Sequence, residues 1–318
     1  MSLLKLLPGL AALFLLMSCA PTFAPAVEGS VSPAVTDEAI IARDGTRLPL
    51  RRWDAEGGKP RAVIVALHGM SDYSNAFAMP GAVWAKEGIT TLAYDQRGFG
   101  KSDKPGIWAG SGSMRSDLND AVAAAKARYP GVPVFALGES MGGAVVLSAL
   151  GSAQPPAVDG VILVAPAVWS RGDMPMLYRV ALFLGAHILP DMILPNSAAG
   201  RVKKIIASDN IPMLIALGKD PLFQKETRTG TLYGLVNLMD EARTAPERIT
   251  TAPPILLLYG AKDQIIPAKP TEAVIAGLGA RAEVKHYDNG YHMLLRDLEG
   301  ETVDRDIADW IAHRQRNS

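Results

Sequence analysis

Three side-chain types that together make a hydroxyl nucleophilic occur in this sequence in a workable order. Ser140 stands in Gly138-Glu139-Ser140-Met141-Gly142, between an apolar β-type run, Val132 to Leu137, and a helix-compatible run that begins at Ala144. In a strand, turn, helix setting, G-x-S-x-G places the serine on a sharp turn, and the glycines on either side remove side chains that would clash there. A serine hydroxyl is a poor nucleophile at its free pKa. It needs a histidine to take its proton and an acid to hold the imidazole tautomer. Asp263 follows 123 residues after Ser140 (263 − 140), as an expected exposed carboxylate past the apolar run Ile255 to Tyr259. His292 comes 29 residues later (292 − 263), just beyond the run Ala282 to Tyr287. Asp288, on the same loop as His292, is a second candidate for the acid. The other histidines fit the role less well. His68 belongs to the Leu67-His68-Gly69 turn and reads as loop-shaping, His187 lies in a helical insertion, His286 within a strand and His313 near the tail.

A serine acting on a carbonyl also requires two N–H donors for the oxyanion that develops. The amide of Met141, next to the nucleophile at a helix start, is one candidate. The other is the amide of Met70, in His68-Gly69-Met70-Ser71-Asp72 after the run Ala62 to Leu67. A separate segment, Tyr94-Asp95-Gln96-Arg97-Gly98-Phe99-Gly100-Lys101-Ser102, ends like a phosphate-binding loop, but Asp95 stands where that loop requires glycine.

The elements that must position these residues read as alternating strands and helices. Asp37 to Ala42 and Thr46 to Trp53 flank Asp44-Gly45, a hairpin signal. Further strands are expected at 62–67, 90–94, 132–137, 158–164, 255–259 and 282–287, several of them continuously apolar as strands buried on both faces are. Helical patterns fall near 75–87, 115–128, 141–150, 270–278 and 300–314. The expectation is an α/β fold with a doubly wound, mostly parallel sheet of about eight strands flanked by helices, antiparallel at its first hairpin. Between Val164 and Ile255 no strand is expected. The apolar, helical content there, including Met174, Met176, Leu177, Leu182, Phe183 and Leu184, reads as an inserted helical lid at about 168–250.

The chain has 318 residues, 48% of them hydrophobic, with 32 basic and 32 acidic side chains and one cysteine. That is ample for a core, and the zero net charge carries no footprint for nucleic acid. One cysteine excludes an internal disulfide, a cysteine-rich zinc site and an iron–sulfur site. Its position is informative. Residues 6–17 form an apolar stretch of about 18 Å as helix, short of the roughly 30 Å of a bilayer core. The run ends Leu16-Met17-Ser18-Cys19-Ala20, which resembles the lipobox of bacterial lipoproteins. The resemblance implies a signal peptide at 1–18, lipidation of Cys19, a tether over 19–35 and a folded domain over 36–318. It places the chain in a bacterial cell envelope, anchored to a membrane through Cys19, with Ala20 after the cysteine pointing to the outer membrane.

With His68-Gly69, Gly138-Glu139-Ser140-Met141-Gly142-Gly143 and the late Asp263 and His292 in place, residues 36–315 resemble α/β-hydrolases of the monoacylglycerol lipase and lysophospholipase type. The segment from Asp95 to Ser102 is similar to that family's D-x-R-G-x-G-x-S. The resemblance implies a serine carboxylester hydrolase that forms an acyl-enzyme on Ser140, needs no metal or other cofactor, and takes a small-molecule or lipid ester such as a monoacylglycerol or lysophospholipid. Epoxide hydrolases and dehalogenases of this fold need a carboxylate where Ser140 stands. A thioesterase, a peptidase or a cofactor-free peroxidase would use the same three residues, and a non-catalytic envelope lipoprotein on a hydrolase fold is the alternative outside catalysis. One departure is visible. The family commonly reads H-G-x-x-E-H-S after the first core strand, whereas this chain has His68-Gly69-Met70-Ser71-Asp72-Tyr73-Ser74, with Tyr73 in place of the second histidine.

Overall fold

The computed structural model describes residues 29–196 and 205–316. The expected signal peptide, Cys19 and the tether as far as residue 28 lie outside the described residues. Nine strands form one sheet: β1 (Ala34–Val35), β2 (Ala39–Ile41), β3 (Arg47–Trp53), β4 (Ala62–Leu67), β5 (Ile89–Tyr94), β6 (Val134–Glu139), β7 (Gly160–Val164), β10 (Ile255–Gly260) and β11 (Ala282–Tyr287). Their spatial order is β1-β2-β3-β5-β4-β6-β7-β10-β11. The strands from β5 to β11 in that order run parallel, while β1 to β3 are antiparallel.

The apolar runs follow from burial on both faces. Along β4, Val63, Val65 and Leu67 enter one core and Ala62, Ile64 and Ala66 the other, because side chains alternate along a strand. The first core is closed by α2 (Ser111–Arg128), α3 (Met141–Leu150), α6 (Thr229–Thr244) and α7 (Ala268–Leu278). The second is closed by α1 (Ala78–Lys86) and α8 (Gly300–Arg316), through Trp84, Val303, Ile307 and Trp310. From β4 the chain crosses to β5 on one side and then returns to β6 on the other, and a doubly wound sheet opens its binding crevice where such a reversal occurs.

Two sequence expectations need adjustment. The folded part begins inside the expected tether: the Val31 N–H donates to the Arg43 carbonyl, and Ala34–Val35 pairs with β2. The stretch between β7 and β10 also contains strands, since β8 (Ile193–Pro195) pairs antiparallel with β9 (Glu226–Arg228). These are three residues each, too short to show a period, and one ends in proline. Within that stretch α6 packs on α3 with Val236, Leu238, Met239 and Ala242 buried, so it is the crossover helix from β7 to β10. What remains is an insertion carrying α4 (Met176–Ile188), the β8/β9 ribbon and α5 (Ile211–Lys219). Its helices leave large apolar side chains exposed, among them Met176, Leu177, Phe183, Ile211 and Ile215. Among the described residues no helix is long and apolar enough to cross a membrane.

The seat of α6 is close. A Cβ on Gly234 would lie 2.3 Å from Cδ1 of the buried Trp108. Gly234→Ala would gain roughly 1 kcal/mol of helix propensity but overpack this contact, at a typical cost of about 1–3 kcal/mol. The expected outcome is a lower urea midpoint with unchanged slope.

Candidate active site

β6 delivers Ser140 at its carboxyl end, and α3 starts immediately after it. Ser140 has φ 52° and ψ −114°, a left-handed backbone that costs a residue with a side chain on the order of 1–3 kcal/mol. The surrounding structure holds it there. The Ser140 N–H donates to the Val164 carbonyl at 2.9 Å, and the Ser140 carbonyl accepts from the Ala144 N–H at 3.0 Å and the Ala167 N–H at 2.9 Å. The flanking glycines are required by contact. A Cβ on Gly138 would meet the Gly142 carbonyl carbon at 2.4 Å, and one on Gly142 would meet the Leu67 carbonyl oxygen at 2.1 Å.

Asp263 and His292 reach Ser140 from the loops after β10 and β11. Ser140 Oγ lies 2.9 Å from His292 Nε2, and His292 Nδ1 lies 2.8 Å from Asp263 Oδ2. With the proton on Nδ1 donated to Asp263, Nε2 is free to accept from the serine hydroxyl. The remaining oxygen of Asp263, Oδ1, accepts from the Ile265 N–H at 2.8 Å and the Ile266 N–H at 3.0 Å, which sets the carboxylate plane. The expected exposed position of Asp263 is corrected, since its side chain is fully buried. Asp288 is exposed and has no part in the relay.

The loop after β4 lies against the nucleophile, where a Cβ on Gly69 would be 3.2 Å from Ser140 Cβ. His68 orients this loop. The Gln96 N–H donates to His68 Nε2 at 3.0 Å, so Nδ1 carries the proton and donates to the Gly69 carbonyl at 2.8 Å. Burial holds its pKa below the ordinary value and keeps it neutral in this role. In a trans peptide the carbonyl and the next N–H point in opposite directions, so fixing the Gly69 carbonyl aims the Met70 N–H. Met141 opens α3, at a position whose N–H has no carbonyl partner within the helix. His187 stacks on Phe183 with ring centres 4.1 Å apart, and His286 and His313 are exposed, all outside the relay.

A model of the family described as "Serine aminopeptidase, S33" matches residues 58–299. The chain belongs to this α/β-hydrolase family. Among its relatives, monoglyceride lipase of Rattus norvegicus is 27% identical over 281 residues, covering 86% of this chain and 90% of that protein. Monoacylglycerol lipase of Mycolicibacterium smegmatis is 26% identical over 287 residues, covering 88% and 98%. In architecture the chain is similar to a soluble variant of monoglyceride lipase from Saccharomyces cerevisiae, solved with a substrate analog, with a TM-score of 0.70 at 19% identity over 92% of this chain and 99% of that one.

Beneath the α/β-hydrolase relay lies a charged group that the sequence did not announce. The buried Arg296 guanidinium pairs with Asp72 Oδ2 at 2.8 Å and with Glu139 Oε2 at 3.2 Å. Asp72 belongs to the loop after β4, Glu139 adjoins Ser140 and Arg296 lies on the His292 loop, so one cation ties together three of the loops of the site. Burial raises Glu139 above its usual range even with Arg296 beside it. Asp304 behind it is pushed up to about 9 by burial and by the charges of Glu139 and Glu301, so it carries its proton at neutral pH. Its one trace in the sequence is Glu139, an acid that closes an otherwise apolar run. The segment from Asp95 to Ser102 is likewise structural. Asp95 accepts from the Ser74 N–H at 2.9 Å and the Lys101 N–H at 2.8 Å, and a Cβ on Gly100 would strike the Asp95 carboxylate at 2.4 Å.

Burial alone would lower the His292 pKa, but the Asp263 carboxylate, through charge and hydrogen bond, and the Glu139 charge outweigh it and raise it above the ordinary 6.5. The free base therefore predominates only at higher pH. The rate at which a fluorophosphonate modifies Ser140 is expected to rise with pH through a midpoint above 6.5. Asp263→Asn removes the stabilising charge. It is expected to move the midpoint down and to cut the plateau rate by roughly 10⁴-fold, through the wrong tautomer. Stopped-time labelling across pH 5–9 reads both effects.

Proposed function

We propose that this protein hydrolyses carboxylic esters of lipid-like acids through an acyl-enzyme on Ser140. The reading rests on the Ser140, His292, Asp263 relay, whose two contacts are 2.9 and 2.8 Å. In the first half, His292 Nε2 takes the proton as Ser140 Oγ attacks the ester carbonyl, and the oxyanion lies against the amides of Met70 and Met141. His292 then protonates the departing alcohol. In the second half, water gives its proton to His292, attacks the acyl-serine, and the acid leaves as Ser140 regains its proton. Asp263 stabilises the imidazolium in both halves without taking the proton.

The substrate class follows from what borders the site. The insertion offers an apolar surface from α4 and α5, with methionine and leucine side chains that adapt to a variable acyl tail. Glu139 and Asp72, the acids beside the two oxyanion donors, are both engaged by Arg296, so neither is free to receive the ammonium end of a peptide. This favours an uncharged or zwitterionic ester over the peptide substrate of an aminopeptidase. The names of the relatives support a monoacylglycerol, and a lysophospholipid has the same single acyl ester on a polar head. The insertion serves as a lid over the acyl chain. The chain works on an envelope membrane, lipid-anchored at Cys19, which keeps it beside such substrates.

Purified protein is expected to cleave p-nitrophenyl esters with a preference that rises with chain length, and to release fatty acid from monoacylglycerol or lysophospholipid. Ser140→Ala is expected to abolish turnover and fluorophosphonate labelling, while Met70→Ala, which keeps the amide, has a mild effect. Equal rates in wild type and Ser140→Ala across the whole series would refute the reading. For the anchor, mass spectrometry of the mature amino terminus is expected to find Cys19 lipidated on its thiol and on its amino group. A free Cys19 thiol would disprove it.

A further inference from the structure

We propose that Asp220 and Gln224 of the insertion, acting through Tyr73 and Ser71, are positioning residues for the oxyanion donor at Met70. The inference rests on the reading of Met70 as that donor. Its observation is that the oxyanion loop is held from two sides by unrelated parts of the chain. On the Gly69 side the hold comes from His68 and the sheet. On the Ser71 side it comes from the insertion.

The contacts on the second side converge on two residues. Tyr73 is buried, and its O–H donates to Asp220 Oδ2 at 2.6 Å. Asp220 is fixed in turn, because its Oδ1 accepts from the Leu222 N–H at 2.9 Å. Partial burial would raise the Asp220 pKa, but the hydrogen bonds from Tyr73 and from the Leu222 and Phe223 amides outweigh it, so the carboxylate stays ionised and accepting. The Tyr73 hydroxyl, pushed up to about 12 by burial and by Asp220, remains a donor. The Gln224 N–H donates to the Ser71 carbonyl at 2.8 Å, and Asn196 Nδ2 donates to Ser71 Oγ at 3.0 Å. Ser71 has φ 69°, a left-handed backbone that a serine does not keep without support. Met70 sits between this supported residue and Gly69, so the direction of its N–H depends on both grips.

Tyr73 is also where the chain departs from its family's H-G-x-x-E-H-S. A tyrosine there extends far enough to reach Asp220, just after α5. The same helix is rooted at its other end on the His292 loop, where Ser208 Oγ donates to Asp297 Oδ1 at 2.6 Å and Asn210 Nδ2 donates to the Arg296 carbonyl at 2.9 Å. Asp297 Oδ2 accepts from the Tyr291 N–H at 2.6 Å, beside His292. The insertion thus grips both loops that flank Ser140, and it reaches the Met70 loop through the Tyr73 contact as well as through Ser71.

The test separates alignment of the donor from stability. Tyr73→Phe and Asp220→Ala are compared with wild type on p-nitrophenyl butyrate, with active sites titrated by fluorophosphonate and folding checked by thermal midpoint. The expected result is a fall in kcat of about tenfold with KM within about twofold, smaller than the roughly 10²- to 10³-fold loss on deleting an oxyanion donor outright. The inhibition constant of a trifluoromethyl ketone, whose tetrahedral adduct needs the same donors, is expected to rise by the same factor. Asp220→Asn, whose amide oxygen still accepts from Tyr73, is expected to recover most of the loss. An unchanged inhibition constant in Asp220→Ala, or a loss confined to KM, would overturn the inference. Absence of Ser140-dependent cleavage in the wild type would instead overturn the reading on which it rests.

Discussion

The arrangement depends on one buried cation. Arg296 lies among groups that exclude water, and its charge is balanced by Asp72 on one side and Glu139 on the other. Leaving one partner of such a pair alone typically costs about 3–5 kcal/mol, so the loops carrying these residues cannot move independently. Those loops follow β4, β6 and β11, and they bear Met70, Ser140 and His292. A mobile set of three loops would lose the geometry that a relay at hydrogen-bond distance demands. The ion pair converts them into one body. Burial of like charges has a further consequence, in that Asp304 behind them is driven to its neutral form.

The sheet explains why this body sits where it does. A parallel sheet gathers its following loops at one end, and the chain reversal between β5 and β6 opens the space beside β4 and β6 in which Ser140 stands. The strained backbone at Ser140 is tolerated because its carbonyl and N–H are bonded to Val164, Ala144 and Ala167, all within the same rigid frame. The insertion adds a second, more exposed layer. Its α5 buries no residue yet is rooted at both ends on the loops that carry Met70 and His292, so it presents an exposed apolar surface on one side and is fixed to the site on the other.

Much of this was legible locally. The apolar runs of β4 and β10 match the strands end for end or nearly so, because a strand buried on both faces needs no partner to be recognised. The helix from Met141 to Leu150 and the Asp-Gly hairpin were equally plain. Membership of a hydrolase family was visible because the elbow, the Gly69 turn and the late Asp263 and His292 are short motifs whose constraints act over a few residues. By contrast, β8 and β9 have no period to read, and α6 looked like part of a lid because its apolar face does not say which surface it covers.

The sequence by itself determined the layered fold and singled out Ser140 and His292, since these follow from local backbone geometry and burial patterns. Only the tertiary structure decided between Asp263 and Asp288, because both are acids on loops near the sheet end and only distance separates them. It alone revealed Arg296 joined to Glu139 across 157 residues and Tyr73 joined to Asp220 across 147. Contacts of that kind leave no periodicity or spacing along the chain. They exist because folding brings distant polar groups into a site without water, where each must find a partner or change its charge.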